Sequence, residues 1–269
     1  KRISNSGFVQ WRDGKWGDGG DTNWLTAAVA ITNHPLEQLI ALGENGTVLL
    51  LGSGDRHEEQ IGSGKFSPKS RGPMRGIRNI GGNIYVVGMN RQVYRREGLN
   101  NWVSIDNGAR PSAKSEEVVG FESIDGFSET EIYAVGWEGE IWKYDGKAWT
   151  QLDSPTNYVL VNVCCGGNGH TYACGRNGML VRGRGDKWDI VGQENVTDDI
   201  WGLAWFNSKL YISTMDSIYT LEEDELEIVD MGKDQAKTCY HLSAADGVLW
   251  SIGAKDVMSY NGKKWTRID

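Results

Sequence analysis

The feature that most constrains the fold of this chain is a repeated pair of strands. An apolar strand ends in a small residue, a short turn follows, and a second strand begins, as in IYAVGWEGEIWKY at residues 132–144. The small residue recurs at steps of 45, 48, 39, 39 and 39 residues, at Gly43, Gly88, Gly136, Gly175, Thr214 and Gly253. Such a period indicates a repeat architecture built from one structural unit.

Each strand pair is flanked by two further strands, so that one unit holds four. An apolar run precedes the pair, and the strand that follows it usually contains Trp, at Trp102, Trp149, Trp188 and Trp265. Four short strands per unit of this length are typical of a β-propeller blade, and no helix is needed. We predict an all-β fold, a β-propeller of four-stranded antiparallel blades at about 25–62, 74–106, 118–153, 158–192, 199–230 and 238–269.

Residues 1–24 precede the six complete units and are interpreted as a hairpin and closure segment. The sequence FVQWRDGKW at residues 8–16 resembles the last two strands of a unit, with Asp13-Gly14 in the turn. Asp-Gly between apolar runs favours a tight hairpin because the turn needs positive φ. Six blades in a single domain of residues 1–269 are the preferred prediction. The hairpin would then decorate the ring or complete the closing blade, and the alternative is the remnant of a seventh blade.

The closing hairpins also carry a family resemblance. The motif DGxxW, with Asn in place of Asp in the last unit, occurs at residues 13–16 in shortened form and at 145–149 and 261–265. It resembles a reduced Asp box of sialidase-type propellers, and the whole unit is similar to propellers of the photosystem II assembly-factor type. The opening Ser and the spacing of a full Asp box are absent. The resemblance implies the fold but no particular function, because propellers carry enzymes, lectins and scaffolds alike.

The chain is acidic, with a formal net charge of −8. A protein that grips a phosphate backbone is expected to be basic, so we expect no nucleic-acid partner. An acidic surface is compatible with solubility alone. It also favours encounter with a basic protein partner.

The four cysteines show neither the spacing of a disulfide framework nor that of a zinc knuckle. Cys164 and Cys165 are neighbours, and Cys174 and Cys239 stand alone. We expect free, mostly buried thiols, which are typical of a reducing compartment, and therefore a cytoplasmic location. No apolar run approaches the roughly 18 residues of a membrane span, so no membrane association is expected.

No arrangement of residues in the sequence indicates catalysis or metal binding. A sialidase-like hydrolase would need three convergent arginines, but the available arginines occupy different places in the repeat. The four histidines lack ligand spacing, and the Gly-rich segments lack the ending of a phosphate loop. We therefore predict a protein that is not an enzyme, with no catalytic residues, no metal and no cofactor.

The remaining candidate is a recognition surface on one face of the propeller. The turns after the small residues and the connections between blades gather on that face, and their residues differ from blade to blade. This variety argues against a repeated glycan site and favours one composite protein interface. The predicted partner-binding residues are Met89, Arg91, Trp137, Glu138, Tyr158, Arg176, Asp199, Trp201, Tyr240 and His241.

Trp137 is the most distinctive of these residues, because the equivalent positions of the other blades carry Glu, Met, Arg, Met and Ala. The alternative for Trp137 is packing over a neighbouring blade. We predict a monomeric, non-catalytic bacterial propeller that binds a protein, and more specifically an immunity-type protein that neutralises a basic toxin. A lectin-like propeller or a degenerate glycoside hydrolase is the alternative.

Overall fold

The computed structural model describes residues 5–112, 117–192 and 196–268. Within these residues the chain forms six four-stranded antiparallel sheets and one two-stranded sheet. The predicted all-β propeller with six blades is therefore confirmed. The domain predicted over residues 1–269 includes residues 1–4, 113–116, 193–195 and 269, which lie outside the described part.

The strands are numbered in chain order. The N-terminal hairpin consists of β1 (Ser6–Arg12) and β2 (Lys15–Thr22). Blade 1 consists of β3 (Thr26–Thr32), β4 (Gln38–Gly43), β5 (Thr47–Gly52) and β6 (Asp55–Gln60). Blade 2 consists of β7 (Met74–Ile80), β8 (Asn83–Gly88), β9 (Gln92–Gly98) and β10 (Asn101–Ser104). Blade 3 consists of β11 (Phe121–Ser128), β12 (Glu131–Gly136), β13 (Ile141–Tyr144) and β14 (Trp149–Leu152). Blade 4 consists of β15 (Leu160–Cys165), β16 (Thr171–Gly175), β17 (Leu180–Arg184) and β18 (Lys187–Ile190). Blade 5 consists of β19 (Gly202–Phe206), β20 (Lys209–Ser213), β21 (Ile218–Glu222) and β22 (Glu225–Ile228). Blade 6 consists of β23 (His241–Ala245), β24 (Val248–Ile252), β25 (Val257–Tyr260) and β26 (Trp265–Arg267).

The expectation that no helix is needed was wrong in one connection. Between β6 and β7 the chain forms a 3₁₀ turn (Gly64–Phe66) and a single-turn helix α1 (Pro68–Arg71), and a further 3₁₀ turn (Trp137–Gly139) follows β12. Pro68 begins α1, where its missing N–H is not required and its φ suits the helix. No helix of the described residues is long and apolar enough to span a membrane.

The second strand of a blade inside the ring is mainly apolar because neighbouring blades cover both of its faces. In β12, Ile132, Tyr133, Ala134 and Val135 are all fully buried. Ile132 and Ala134 pack in the cluster shared with blade 2, whereas Tyr133 and Val135 pack in the cluster shared with blade 4. A strand without a solvent-facing side shows a continuous apolar run in place of alternation.

The DGxxW hairpins close a blade and tie it to its neighbour. Asp145 Oδ1 accepts hydrogen bonds from the backbone N–H groups two and three residues on, at 2.8 and 2.9 Å, and Asn261 does the same in blade 6. The indole N–H of Trp149 donates to the carbonyl oxygen of Ile105 in the preceding blade, at 2.9 Å. The motif therefore has a structural role at the outer rim.

The first strands of the blades, from β3 through β7, β11, β15 and β19 to β23, pack one against the next around the central axis, which we call the hub. The N-terminal hairpin forms a sheet of its own, in which β1 pairs with β2. Completion of the closing blade by the hairpin is therefore wrong, because blade 6 already has four strands of its own and ends at β26.

Candidate functional site

One face of the propeller carries the turns between the second and third strands of the blades, and we call it the turn face. These turns bond to the first strand of the next blade or to the connection that leads into it. The N–H groups of Met74 and Ile200 donate to the carbonyl oxygens of Glu44 and Gly175, each at 2.9 Å. All ten predicted partner-binding residues lie in these turns, in the connections, or at the first residue of β23.

Trp137 lies over the first strand of its own blade. Its indole N–H donates to Glu122 Oε1 at 2.7 Å, and Arg75 Nε of blade 2 lies 3.7 Å from the same oxygen. Trp137 is half-buried, and the adjacent Glu138 is exposed in a left-handed conformation with φ of 56°. We call Arg75, Glu122, Trp137 and Glu138 the Trp137 cluster. Its indole is held in one orientation beside the hub.

Arg91 and Met89 direct most of their surface into the junction between blades 2 and 3. Arg91 Nε donates to Glu140 Oε2 at 2.7 Å, and its guanidinium lies 4.9 Å from the ring centroid of Trp142. Only 15% of the Arg91 side chain is exposed. Burial raises the pKa of Glu140, although Trp142 and Arg91 both favour its charged form. Met89 forms a bridge with Gly120, so both residues have a structural function.

Blades 4 to 6 carry a continuous row of contacting polar and aromatic groups on the turn face. The Arg176 guanidinium lies 4.4 Å from the ring centroid of Trp201. The ring centroids of Trp201 and Tyr240 are 5.0 Å apart, and those of Tyr240 and His241 are 4.2 Å apart. We call these four residues the aromatic ladder. The structure thus brings together residues of three blades that are distant in sequence.

Asp199 fixes the first member of the ladder. It forms an ion pair with Arg176 and accepts the backbone N–H of Asn177 at 2.9 Å. Burial alone would raise the pKa of Asp199, but these two donors hold it below its usual value. The carboxylate therefore stays charged at neutral pH and keeps the guanidinium above Trp201.

The far end of the ladder is uncharged at neutral pH. The imidazole of His241 has an exposed edge, yet its crowded surroundings beside Tyr240 lower its pKa by desolvation. The indole nitrogen of Trp201 is buried and has no hydrogen-bond partner among the described residues. Tyr158 is 44% exposed on the connection into β15. The ladder offers a cation, two large rings and a neutral imidazole, which suit contact with another protein.

The cysteines are free, as predicted, and three of the four are buried. Burial raises the pKa of Cys164 to about 12 and that of Cys239 to about 11. Thiols with such pKa values are protonated at neutral pH and are poor nucleophiles. No group of three His, Cys, Asp or Glu side chains in the described ranges is arranged to hold a metal ion.

Sequence reasoning missed the two carboxylates that hold the turn face together. Glu122 holds Trp137, and Glu140 holds Arg91. A signal was present at Glu140, which stands two residues before Trp142 on the same face of a blade and is therefore directed into the core. Glu122 gave no comparable signal, because its partner is reached only through the turn.

The chain is similar over its whole length to one curated protein. It is 50% identical to the immune protein Tsi7 of Pseudomonas aeruginosa over an alignment of 273 residues. The alignment covers 100% of this chain and 89% of Tsi7. No protein-family model matches the chain.

Solved structures share the fold. Virginiamycin B lyase from Staphylococcus aureus matches with a TM-score of 0.70 and 11% identity, over 90% of this chain and 83% of its own. YCF48 bound to a D1 peptide matches with a TM-score of 0.65 and 14% identity, over 90% and 81% of the two chains. At these identities the matches confirm the propeller fold and do not address function.

Proposed function

Because this chain belongs to the family of the immune protein Tsi7 of Pseudomonas aeruginosa, we propose that it is an immunity-type propeller that binds a partner toxin. The observation that carries the proposal is the 50% identity over the whole chain. The same relationship does not favour the lectin-like or glycosidase alternative. The protein acts by binding and not by catalysis, which agrees with the high pKa values of its thiols. The DGxxW hairpins, like the Asp boxes they resemble, serve the fold.

The aromatic ladder is the centre of the partner contact in this proposal. Trp, Tyr and Arg are the residue types that contribute most to binding at protein interfaces. Trp201 and Tyr240 stack on each other and Arg176 is held by Asp199, so little conformational entropy remains to be lost on binding.

The Trp137 cluster is a second, smaller part of the same contact. Its indole already donates to Glu122, so Trp137 offers apolar surface more than a free hydrogen-bond donor. Glu138 stands beside it and is exposed. The two parts together extend the contact around the hub.

The partner is basic in this proposal. The chain carries a net charge of −8, and Glu44, Glu138, Asp198 and Asp216 are exposed on the turn face. Complementary charge accelerates encounter and excludes acidic partners. The protein acts as a monomer in the cytoplasm, and its four free cysteines support a reducing compartment.

The test is protection of growth. The toxin is identified by co-purification from the source bacterium and is then expressed alone or together with this chain in a sensitive strain. Wild-type chain is expected to restore growth, and the double variant Trp201→Ala, Tyr240→Ala is expected to lose most of that protection. Continued growth arrest with the wild-type chain would contradict the proposed function.

The matched control is Ile228→Ala, because Ile228 is 70% exposed on β22 of the same blade as Trp201 but lies on the outer rim. This variant is expected to protect fully. Thermal unfolding of each variant separates loss of binding from loss of folding. Full protection by a folded double variant would exclude the ladder while leaving the immunity function intact.

A further inference from the structure

The N-terminal hairpin lies between blade 6 and blade 1. Phe8 of β1 packs in the cluster formed by Trp24, Ala41 and Leu49 of blade 1 and its lead-in segment. On the other side, the indole N–H of Trp16 donates to the carbonyl oxygen of Ile268, directly after β26, at 3.2 Å. The hairpin therefore bridges the first and last blades of the ring.

The two strands of the hairpin occupy different distances from the hub. β1 lies against the second and third strands of blade 1, because Phe8 packs on Ala41 of β4 and Leu49 of β5. β2 lies against the fourth strand, since the Arg56 side chain of β6 donates to the carbonyl oxygen of Asp21 at 2.7 Å. β1 and β2 thus correspond to the third and fourth strands of a blade.

The connection to blade 1 supports this correspondence. The N–H of Thr26, at the start of β3, donates to Ser6 Oγ at 2.9 Å. At the equivalent position of blade 2, the N–H of Met74 donates to the backbone carbonyl oxygen of Glu44, in the turn of the preceding blade. The Asp13-Gly14 turn also matches the Asp-Gly turn before the fourth strand of blade 3.

If β1 and β2 are the third and fourth strands of an additional blade, the positions of its first and second strands are open in the described structure. Val29 and Ile31 of β3 lie on the face turned away from blade 2, and they are 53% and 52% exposed. At the positions equivalent to Val29 in blades 3, 4 and 5, by contrast, Ile124, Val163 and Leu203 are exposed by only 3 to 5%. Apolar side chains at these positions of the repeat are normally covered.

Blade 6 presents the opposite wall of the opening. His241 and Ser243 of β23 pair with Ile252 and Trp250 of β24, so the four side chains share one face. Ile252 is 45% exposed, and every residue of β23 is exposed or half-buried. In the described residues β23 and β3 do not pack as the other neighbouring first strands do.

The outer boundary of the opening is the free edge of β1. Among the described residues β1 pairs with β2 alone, and its Val9 is 73% exposed. A strand with one unpaired edge offers a row of N–H and C=O groups to a further strand. The opening thus has an apolar wall on blade 1, a mixed polar and apolar wall on blade 6, and a hydrogen-bonding strand edge at its outer boundary.

We propose that this opening is the docking site of an antiparallel strand pair with the apolar character of β7–β8 or β11–β12, and that a further stretch of the same natural polypeptide supplies it. The pair would continue the sheet of β1 and β2 and complete a seventh four-stranded blade. One strand pairs with β1, and the other covers Val29 and Ile31 beside the hub. The docking does not require the toxin, although the pair would lie against His241, the last residue of the aromatic ladder.

The chemistry of the walls determines the occupant. An element covered by blade 1 on one face and by blade 6 on the other must be apolar on both faces, as the second strands of the complete blades are. Two such strands are short, since β7 and β8 together span residues 74–88. Tsi7 extends beyond its match with this chain by the remaining 11% of its length, which is on the order of 30 residues and sufficient for a strand pair.

Amide hydrogen exchange tests the proposal on two proteins: the 269-residue chain, and the product of the complete natural reading frame. In the complete product, the amides of β1 are expected to exchange at least about tenfold more slowly, because they are paired on both sides. Ile31→Cys is expected to react with a maleimide in the 269-residue chain and to be protected in the complete product. Ile228→Cys on the outer rim is the control and is expected to react in both.

Four outcomes would overturn the proposal. The natural reading frame could encode no further strand pair, or the complete product could leave β1 and Ile31→Cys as accessible as in the 269-residue chain. Protection of the 269-residue chain that increases with its own concentration would assign the opening to a second copy. Protection that requires the toxin would assign it to the partner.

Discussion

Glu59 of blade 1 and Arg96 of blade 2 form a bidentate ion pair that is buried between the two blades. The Nη2–Oε1 and Nε–Oε2 distances are 2.7 and 3.1 Å, and the side chains are 0% and 5% exposed. The Trp102 indole N–H and the Asn100 backbone N–H donate to the same carboxylate, at 2.7 and 3.0 Å. Four donors replace the water that the carboxylate loses on folding.

Removal of one partner is therefore expected to be costly. Glu59→Ala should lower the free energy of unfolding by about 3 to 5 kcal/mol, because Arg96 is left as a buried, uncompensated charge. Urea denaturation measures this loss. The control is Glu97→Ala, which removes the partner of the partly exposed Arg95 and should cost no more than about 1 kcal/mol. Equal losses in the two variants would contradict the role assigned to burial.

The same carboxylate gives the stability a defined dependence on pH. Burial alone would raise the pKa of Glu59 and of Asp106, but hydrogen bonds, led by those from Arg96 and Arg110, hold them below their usual 4.5 and 3.8. A folded-state pKa below that of the unfolded chain means that protonation favours unfolding. The contribution of each group is complete above its unfolded pKa and is lost as the pH falls through the folded value.

We therefore expect the melting temperature to be nearly constant from pH 7 to about 5 and to fall below about pH 4. Glu59→Gln removes one of the titrating groups and should show a shallower acid decline from a lower starting value. Calorimetry across this pH range measures both. A wild-type protein whose melting temperature rises on acidification would contradict the predicted direction of the pH dependence.

The positions of the recurring glycine could be predicted from the sequence, but the physical reason why glycine is needed there could not. The sequence shows only that a small residue precedes each turn, and Gly136 and Gly175 have no positive φ that would require glycine. A Cβ at either position would overlap a carbonyl oxygen at the start of the first strand of the same blade, that of Gly120 or Val159. In blade 5 the small residue is Thr214, and there a glycine, Gly202, begins the first strand.

This close approach of two backbone segments predicts that substitution of the recurring glycine lowers the stability of the protein. Gly175→Ala should destabilise the protein by more than about 2 kcal/mol, because two backbone segments must separate. Gly98→Ala is the control, since a Cβ there meets nothing within 4 Å, and it should be nearly neutral. Chemical denaturation of both variants measures the difference. A neutral Gly175→Ala would show that the blade can relax around the added methyl group.

The ladder shows where sequence reasoning stops. Periodicity identified the turn face, and all four ladder residues were among the predicted binding residues. It could not show that Arg176, Trp201 and Tyr240 stack on one another, because this depends on the angle between blades and on side-chain rotamers. The sequence analysis gave most weight to Trp137, but a hydrogen bond to Glu122 holds the Trp137 indole beside the hub.

The ladder is expected to dominate the affinity for the toxin. Trp201→Ala should raise the Kd by roughly 30-fold, equivalent to about 2 kcal/mol, because the ring contacts both Arg176 and Tyr240. Trp137→Ala should have a smaller effect. Calorimetric titration with the purified toxin measures both. A larger effect at Trp137 would move the centre of the interface to blade 3.

The acidic turn face is expected to act mainly on the rate of association. For a basic toxin, the association rate constant should fall as salt is raised from about 20 to 500 mM, because screening shortens the reach of the field. Glu138→Lys should lower that rate constant at low salt and leave the dissociation rate constant nearly unchanged. Glu225→Lys makes the same charge change on the outer rim strand β22 and should have a weaker effect. Stopped-flow measurements of the three proteins test this, and equal rate constants for the two variants would show that net charge, and not the turn face, guides the encounter.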